Sequence, residues 1–469
     1  MPVAYAFDVL GSDSGWWTVT KGLAALSLAW GVRTWSKGYV CREHRELAGK
    51  TYILSGGFSG VGLSVLQPLA AAGAQVIVLT PEPLTPSVVQ LLLLLRSATE
   101  NERLYAEQCD LADVASIRTF VAGWQKEARS GMVQDLEARI DGLVFCDEDD
   151  VTELPGIGCR PAATSADVAG AGVSKYGMTR LTGRHALVQL LLPVLLRSAA
   201  TLTSPLRIIN TVSPFYATVT PATFRPKDLE YSADLKGVDA APYPATQPWI
   251  AQGQIALASV LLWQEFHKRA KSTTTTTPAA AAAATAKAGE GASPLADVAA
   301  AAAAESTPVL ALSACPGLLR STIRSLLCAS PSSPSFSVFG CAVYLFLFPL
   351  IWLFAKSADE GAQCVLAVLM ADVYREGETL DQRKRRRDKA ARGPDGKVDA
   401  AAAAAAKDDD RPPLLVRPGA LYREGLEVRL PILGALAPDV SAQVWDAQSK
   451  TVETTLARIV KEEKDAQAA

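Results

Sequence analysis

A cluster of glycines within residues 50–65, KTYILSGGFSGVGLSV, has the residue types and spacing that suit the binding of a diphosphate. It follows a β-branched and aromatic run and precedes an apolar run with helical spacing, so it should form a strand-to-helix turn. A side chain at Gly56 or Gly60 would keep the backbone away from a pyrophosphate, and Gly62 lets the helix pack closely on the sheet. The helix N-terminus offers unpaired N–H groups, to which Ser59 adds a hydroxyl. The alternative is a tight turn that holds no ligand.

Other side chains with metal-binding or redox chemistry are scattered along the chain. The eight cysteines form no CxxC pair and there are only three histidines, so we predict neither a metal site nor a disulfide framework. We interpret the cysteines as reduced, packed residues of a protein in a reducing compartment. The acidic run from Asp147 to Asp150 has the carboxylates to bind a cation, but a solvated loop is the favoured interpretation. The net charge of −2 does not indicate nucleic acid as a partner.

The elements that must position the glycine turn alternate between strand and helix patterns. The runs TYILSG, AQVIVLT, RLYAEQCDL, IDGLVFC, LRIINTVS and PVLALSAC are typical of strands covered on both faces. Helical patterns lie between them, at 62–72, 86–99, 113–128, 187–198 and 251–269. This alternation predicts an α/β fold, a Rossmann-type doubly wound parallel sheet.

Two inserts interrupt the pattern. Residues 271–306 are rich in Thr and Ala, and residues 381–413 join a basic run, an Ala tract and an acidic run, so both are predicted to be disordered. With these inserts inside it, the α/β domain should extend over residues 47–453. Residues 1–46 would form an N-terminal membrane-associating segment, and residues 454–469 the end of a C-terminal helix and a tail.

Two apolar segments indicate contact with a membrane. Residues 16–40 contain four tryptophans, but Lys21 and Arg33 leave too short an uncharged run for a span, which needs about 20 residues. This segment is expected to lie in the interface. Residues 338–355 carry no charge and would be about 27 Å long as a helix. That segment would span the bilayer, lie on its surface with a kink at Pro349, or be buried in the protein.

The motifs taken together resemble those of the short-chain dehydrogenase/reductase family. Ser55-Gly56-xxx-Gly60-Val61-Gly62 is similar to its TGxxxGxG fingerprint, CDLADVASIRTFV to its third-strand segment, LRIINTVS to its fifth strand and LSACPGLLRST to its PGxxxT segment. The C-terminal part is similar to retinol-dehydrogenase-like and WW-domain-oxidoreductase-like members, and a fungal lipid-droplet branch carries an apolar helix where residues 338–355 lie. The resemblance implies a catalytic Ser213. It also implies coenzyme-binding residues Ser55, Gly56, Phe58, Ser59, Gly60, Val61, Gly62, Asp110, Leu111, Pro316 and Gly317.

The chain departs from this family at its proton-transfer residues. The family's YxxSK opens the helix after the fifth strand, and the matching text here is IAQGQ, with Ile250 for Tyr, Gly253 for Ser and Gln254 for Lys. Isoleucine cannot donate a proton and glutamine carries no charge. Arg180 stands at the family's asparagine position. Tyr243, Lys236 and His185 are candidate replacements by sequence position.

The resemblance implies NAD or NADP as the cofactor, with Thr80 and Glu82 after the second strand giving a slight preference for NAD. One hypothesis is an oxidoreductase acting on a lipophilic alcohol or carbonyl compound at a membrane or lipid-droplet surface, on the cytosolic side of the endoplasmic reticulum or on lipid droplets. The other is a nucleotide-binding pseudoenzyme, a scaffold or sensor without proton transfer. A third, weaker idea is a structural sheet that binds nothing. The sequence does not indicate the oligomeric state.

Overall fold

The computed structural model describes residues 13–41, 43, 45–58, 60–81, 84–130, 139–147, 175–201, 205–222, 224, 248–285, 309–328, 337–373, 414–434 and 436–468. The strands are β1 Thr51–Ser55, β2 Gln75–Thr80, β3 Leu104–Gln108, β4 Gly142–Phe145, β5 Leu206–Thr211, β6 Val309–Cys315, β7 Asp372–Val373, β8 Leu415–Val416, β9 Leu421–Arg423 and β10 Leu426–Val428. The helices are α1 Asp13–Ser36, α2 Gly60–Ala71, α3 Pro86–Thr99, α4 Val114–Ser130, α5 Arg184–Thr201, α6 Pro248–Thr285, α7 Arg320–Cys328, α8 Val338–Phe354, α9 Ala358–Met370 and α10 Val440–Ala468.

The central sheet has eight strands in the order β10-β9-β6-β5-β4-β1-β2-β3. Every pairing is parallel except that between β9 and β10. The chain moves from β1 towards β3 in one direction and from β4 towards β6 in the other, so β1 and β4 flank the point where the strand order reverses. In open α/β sheets ligands bind at the carboxyl ends of the strands at such a point. The Rossmann-type doubly wound sheet predicted from the sequence is therefore confirmed.

Both faces of the sheet are covered because successive residues of each strand point to opposite sides. In β1, Tyr52 and Leu54 pack into a core with α2 and α9, whereas Ile53 packs into a second core with α4 and α5. This double burial explains why β1, β2, β4, β5 and β6 are buried at every position and largely apolar, whereas the edge strand β3 is mostly exposed.

One helix boundary differs from the sequence-based prediction. Helix α6 continues to Thr285, so residues 271–285 of the first predicted insert are helical, in keeping with the high helix propensity of alanine. The rest of that insert, from 286, and all of the second insert lie outside the described residues. Helix α10 continues across residue 453, and Val452 and Leu456 both pack against the core. Residues 454–468 thus form the C-terminal end of this helix, where the sequence predicted a helix end.

The two apolar segments form the neighbouring helices α1 and α8. Ser36 at the end of α1 donates a hydrogen bond from Oγ to the Leu353 carbonyl oxygen at 2.7 Å. Arg33 pairs with Glu360 at the start of α9, and its guanidinium lies 5.6 Å from the Trp352 ring centroid. No helix in the described part of the chain combines the length and apolarity needed to cross a bilayer.

Candidate functional site

The glycine turn between β1 and α2 is compact because of contacts that only glycine permits. Gly56 has φ +67°, and a Cβ added there would lie 2.8 Å from the Asp147 Cα atom. A Cβ on Gly62 would lie 2.0 Å from the Gly56 carbonyl oxygen, closer than atoms can approach. Gly60 begins α2 with φ +45°. Ser59 lies outside the described residues.

This geometry fits the diphosphate of a dinucleotide. The turn lies at the carboxyl end of β1, where the strand order reverses, and it leads directly into the N-terminus of α2. The first turn of α2 contains no acidic residue, so no carboxylate competes there with an anion for the backbone N–H groups. Val61 is buried in the core and Phe58 packs against it, which holds both sides of the turn in place.

Asp110 and Leu111 follow β3 at the same edge of the sheet. The Ala112 backbone N–H donates a hydrogen bond to Asp110 Oδ1 at 2.8 Å, so this carboxylate already closes its own turn. Leu111 is buried, and its carbonyl oxygen would be 1.8 Å from a Cβ on Gly183. The loop is thus held firmly against the π-helical turn Met178–Gly183 that precedes α5.

A buried ion pair lies beside the glycine turn. Arg184 Nη2 donates to Asp147 Oδ1 at 2.7 Å, and Ser55 Oγ donates to the same oxygen at 3.1 Å. Arg180 Nη2 donates to the Asp147 backbone carbonyl, and Arg184 Nη1 also bonds Asn210. Burial alone would raise the pKa of Asp147, but the guanidiniums of Arg184 and Arg180 hold this pKa below its ordinary value.

The expectation of a solvated acidic loop is therefore wrong for Asp147, because two arginines more than thirty residues further along the chain enclose it. Residues 148–150 of the acidic run lie outside the described residues. Among the residues that the structure describes, no group of His, Cys, Asp or Glu side chains could hold a metal ion.

Ser213 lies at the carboxyl end of β5, fully buried, where it caps the short 3-10 helix Pro214–Thr218. The Phe215 N–H donates to Ser213 Oγ at 3.5 Å. The start of α6 packs directly on this 3-10 helix: a Cβ on Gly253 would lie 2.4 Å from the Phe215 carbonyl oxygen. Ile250 lies in the first turn of α6, and Gln254 follows one turn later and is buried. The residues aligned with the missing Tyr and Lys are thus next to the segment that Ser213 caps.

His185 does not replace the missing proton donor. It is buried against α10, with its Nε2 atom 3.1 Å from Ser449 Oγ and its ring 4.5 Å from the Trp445 ring centroid. Burial, and to a lesser degree the charge of Arg269, lower the pKa of His185 to about 4. The other two candidates, Tyr243 and Lys236, lie outside the described residues, as does Glu82, on which the choice between NAD and NADP partly depends.

Tyr216 is a candidate that sequence analysis missed. It lies three residues after Ser213, and its backbone N–H donates to the Ser213 carbonyl oxygen at 3.3 Å. Burial raises the pKa of the Tyr216 phenol, and the Cys315 thiol adds to this rise, whereas a hydrogen bond with Arg423 opposes it. Arg423 belongs to β9, far along the chain, and stands opposite Cys315 in the sheet. The only sequence signal was a tyrosine close to Ser213, without the expected lysine.

Pro316 and Gly317 follow β6 at the same edge of the sheet. Gly317 has φ +89°, and a Cβ there would lie 3.3 Å from Lys356 Cδ. The Lys356 N–H donates to the Leu318 carbonyl oxygen at 2.9 Å, and Lys356 Nζ pairs with Glu424 at 2.9 Å. These contacts tie the loop after β6 to the junction of α8 and α9.

Helices α1 and α8 expose an unusual amount of apolar surface, which we call the apolar platform. Phe346, for example, is 84% exposed. Single exposed apolar side chains are ordinary, but a group of adjacent ones is not. The platform consists of Leu23, Leu26, Leu28, Trp30, Trp35, Val338, Phe339, Leu345, Phe346, Phe348, Leu350, Trp352 and Phe354. Lys37 and Arg324, at the end of α1 and on α7, are exposed beside it.

Parts of the chain are similar in sequence to proteins described as oxidoreductases. No protein-family model matches the chain. It is 26% identical over 257 residues to an uncharacterized oxidoreductase of Schizosaccharomyces pombe, covering 55% of this chain and 61% of that protein. It is 30% identical over 98 residues to human retinol dehydrogenase 12, covering 21% of this chain and 30% of that protein. The chain thus spans less than two thirds of the curated relatives that it matches.

Among solved structures, a short-chain dehydrogenase/reductase from Brucella melitensis is 14% identical, with a TM-score of 0.37 over 70% of this chain and 91% of that chain.

Proposed function

We propose that the protein is an NAD(P)-dependent oxidoreductase of the short-chain dehydrogenase/reductase type. It acts on a lipophilic alcohol or carbonyl compound at the surface of a membrane or lipid droplet. The observation that carries the proposal is the glycine turn at the point of strand reversal, where Gly56 and Gly62 leave no room for a side chain. The matches to oxidoreductases and to a retinol dehydrogenase, limited to parts of the chain, agree with it.

A bound nicotinamide would supply or accept the hydride, and the chain must orient the carbonyl group and transfer a proton. Ser213 is suited to orient the carbonyl oxygen through its hydroxyl, as the family resemblance implies. Tyr216 is the candidate proton donor because it is a buried phenol three residues after Ser213; its raised pKa keeps it protonated near neutral pH but makes it a weaker acid than an ordinary tyrosine.

The apolar platform supports the membrane part of the proposal. Aromatic and aliphatic side chains on two neighbouring helices suit insertion into the boundary between headgroups and acyl chains. The exposed cations Lys37 and Arg324 beside it suit anionic headgroups. Helix α8 joins the loop of Pro316 and Gly317 through Lys356, so a substrate dissolved in lipid would have a short path to the carboxyl edge of the sheet.

The second candidate function is a nucleotide-binding pseudoenzyme that serves as a scaffold or sensor. Ile250 and Gln254 at the start of α6 favour it, because neither can take part in proton transfer. It keeps the glycine turn and the membrane contact and requires no role for Ser213 or Tyr216.

Oxidation of NADH and NADPH should be followed with purified protein and with medium- and long-chain aldehydes presented in vesicles. Under the enzyme proposal, turnover is present and is lost in Ser213→Ala and in Tyr216→Phe, while both variants still gain thermal stability from the coenzyme. Tyr52→Phe is the matched control, since Tyr52 is also buried but lies in β1 near Arg207, close to the opposite edge of the sheet. Coenzyme binding without turnover across the aldehyde panel would leave the pseudoenzyme as the better account.

A further inference from the structure

Asp147 stands just after β4, with its backbone directly against the first glycine of the turn. The backbone N and Cα atoms of Asp147 would each lie 2.8 Å from a Cβ on Gly56. The Ser55 hydroxyl, at the end of β1, reaches the Asp147 carboxylate at 3.1 Å. The backbone of Asp147 thus forms part of the wall of the glycine turn, and its carboxylate is bonded to Ser55 at the start of that turn.

The two oxygens of this carboxylate differ in their surroundings. Oδ1 accepts hydrogen bonds from Ser55 and from Arg184. Oδ2 is buried and has no hydrogen-bond partner in the part of the chain that the structure describes. A buried carboxylate oxygen without a donor is costly, and such atoms are rare in folded proteins. A hydrogen-bond donor from a bound ligand would therefore satisfy Oδ2.

The position of Asp147 in the sheet indicates which part of a dinucleotide supplies that donor. Strands β2 and β3 lie on one side of β1, and β4, β5 and β6 lie on the other. The two mononucleotide halves of a bound dinucleotide lie on opposite sides of the strand reversal, with the diphosphate between them. The half over β4 and β5 is the one that approaches Ser213 and so carries the reactive ring. A phosphate cannot donate to Oδ2, whereas a ribose hydroxyl can.

Arg184 holds the carboxylate in place from the other side. Its guanidinium is completely buried and also donates to Asn210 Oδ1 and to the Thr211 carbonyl oxygen at 3.0 Å. Burial opposes ionisation of Asp147, but the charges of Arg184 and Arg180 lower its pKa, so the acceptor is an ionised carboxylate at neutral pH. Hydrogen bonds to charged groups are stronger than those between neutral ones.

We propose that Asp147 Oδ2 accepts a hydrogen bond from a hydroxyl of the nicotinamide-side ribose and that Arg184 is the positioning residue for this carboxylate. The inference rests on the proposed function, because it needs a dinucleotide on the glycine turn. It assigns to this chain a coenzyme contact that none of the residues predicted from the sequence supplies.

The test compares ligands with and without that ribose. Reduced coenzyme, ADP-ribose and ADP (with its 2′-phosphate if NADPH is preferred) are titrated calorimetrically into wild type, Asp147→Asn and Asp147→Ala. Asp147→Ala should bind reduced coenzyme and ADP-ribose about tenfold to a hundredfold more weakly, with ADP affinity changed by less than about twofold. Asp147→Asn should show a smaller loss with the same selectivity.

Asp141→Asn and Asp141→Ala are the matched controls. Asp141 is also buried and paired with an arginine, Arg139, but it precedes β4 at the opposite edge of the sheet. These variants should lose stability without changing the ratio of coenzyme to ADP affinity. Equal weakening of coenzyme and ADP in the Asp147 variants would overturn the inference, and so would unchanged binding.

If the Asp147 variants do not fold, the wild-type protein still decides the question. ADP-ribose must then bind at least about tenfold more tightly than ADP, and equal affinities would overturn the inference. Wild-type protein that binds neither coenzyme nor ADP contradicts the proposed function itself. Wild-type protein that binds both, with ADP-ribose no tighter than ADP, contradicts only the role of Asp147.

Discussion

Replacing Gly56 by alanine tests the glycine turn with a change of one methyl group. The substitution has two costs. A residue with a Cβ at φ +67° is strained by about 1–2 kcal/mol. The new Cβ would also lie 2.8 Å from Asp147 Cα, about 0.6 Å closer than ordinary van der Waals contact, so the turn or the end of β4 must move. Overpacking of this kind costs about 1–3 kcal/mol more.

Gly73→Ala is the matched control for the strain. Gly73 follows α2 with φ +79°, but the nearest atom to its added Cβ is Ala48 Cβ at 3.5 Å, an ordinary contact. Gly73→Ala should therefore be destabilised only by the backbone strain, which costs about 1–2 kcal/mol. Gly56→Ala should be less stable than Gly73→Ala by about 1–3 kcal/mol in urea unfolding, since the steric term is the difference between them.

The same two variants separate stability from coenzyme binding. At a coenzyme concentration of 100 times Kd, binding stabilises the native state by about 2.7 kcal/mol. We expect wild type and Gly73→Ala to gain this stabilisation from NADH or NADPH, and Gly56→Ala to gain almost none, because displacement of the turn moves the N–H groups that face the diphosphate. If Gly56→Ala gains as much as wild type, the turn does not hold the coenzyme.

Three further outcomes are expected. Tyr216→Phe should reduce aldehyde turnover by at least about a hundredfold, as expected for loss of a general acid, with coenzyme binding unchanged by calorimetry; residual activity near the wild-type level would exclude Tyr216 as the donor. Because the pKa of His185 is about 4 in the folded protein and about 6.5 when unfolded, the unfolded chain binds the proton first as the pH falls. Stability should therefore be complete above about pH 6.5 and fall by about 3 kcal/mol towards pH 4; His185→Gln should flatten this slope in urea unfolding, and an unchanged slope would contradict the assignment. Phe346→Asp on the apolar platform should lower flotation with anionic vesicles at least about tenfold, whereas Leu94→Asp, at a leucine on α3 that is 68% exposed, should not; equal effects would contradict a membrane role for the platform.

The sequence was sufficient for six of the eight strands of the central sheet, and it did not indicate β9 or β10. Strands β1, β2, β4, β5 and β6 follow from largely apolar runs, because a strand covered on both faces buries every position, whereas the edge strand β3 is mostly exposed. The glycine turn was recognisable from the spacing of its glycines. At Gly56 and Gly62 a side chain would collide with neighbouring backbone atoms. The prediction of membrane contact from apolar composition stays a prediction.

The sequence was not sufficient for the groups that surround the site. Asp147 belonged to an acidic run that suggested solvent exposure, and only folding brings Arg184 and Arg180 onto it from the start of α5. Tyr216 gains its significance from Arg423, which β9 brings alongside the end of β6. Such pairings are set by long-range packing, and no local pattern records them. The helical residues 271–285 were missed for a different reason, since low complexity suggested disorder.

A crystal structure of the protein grown with saturating NADH, and another with NADPH, would test the central claim most directly. The account predicts that one of the two places its diphosphate within hydrogen-bonding distance, about 2.7–3.2 Å, of the backbone N–H groups at the start of α2. A well-ordered glycine turn without ligand in both crystals would contradict this claim. A coenzyme bound elsewhere on the protein would contradict it too.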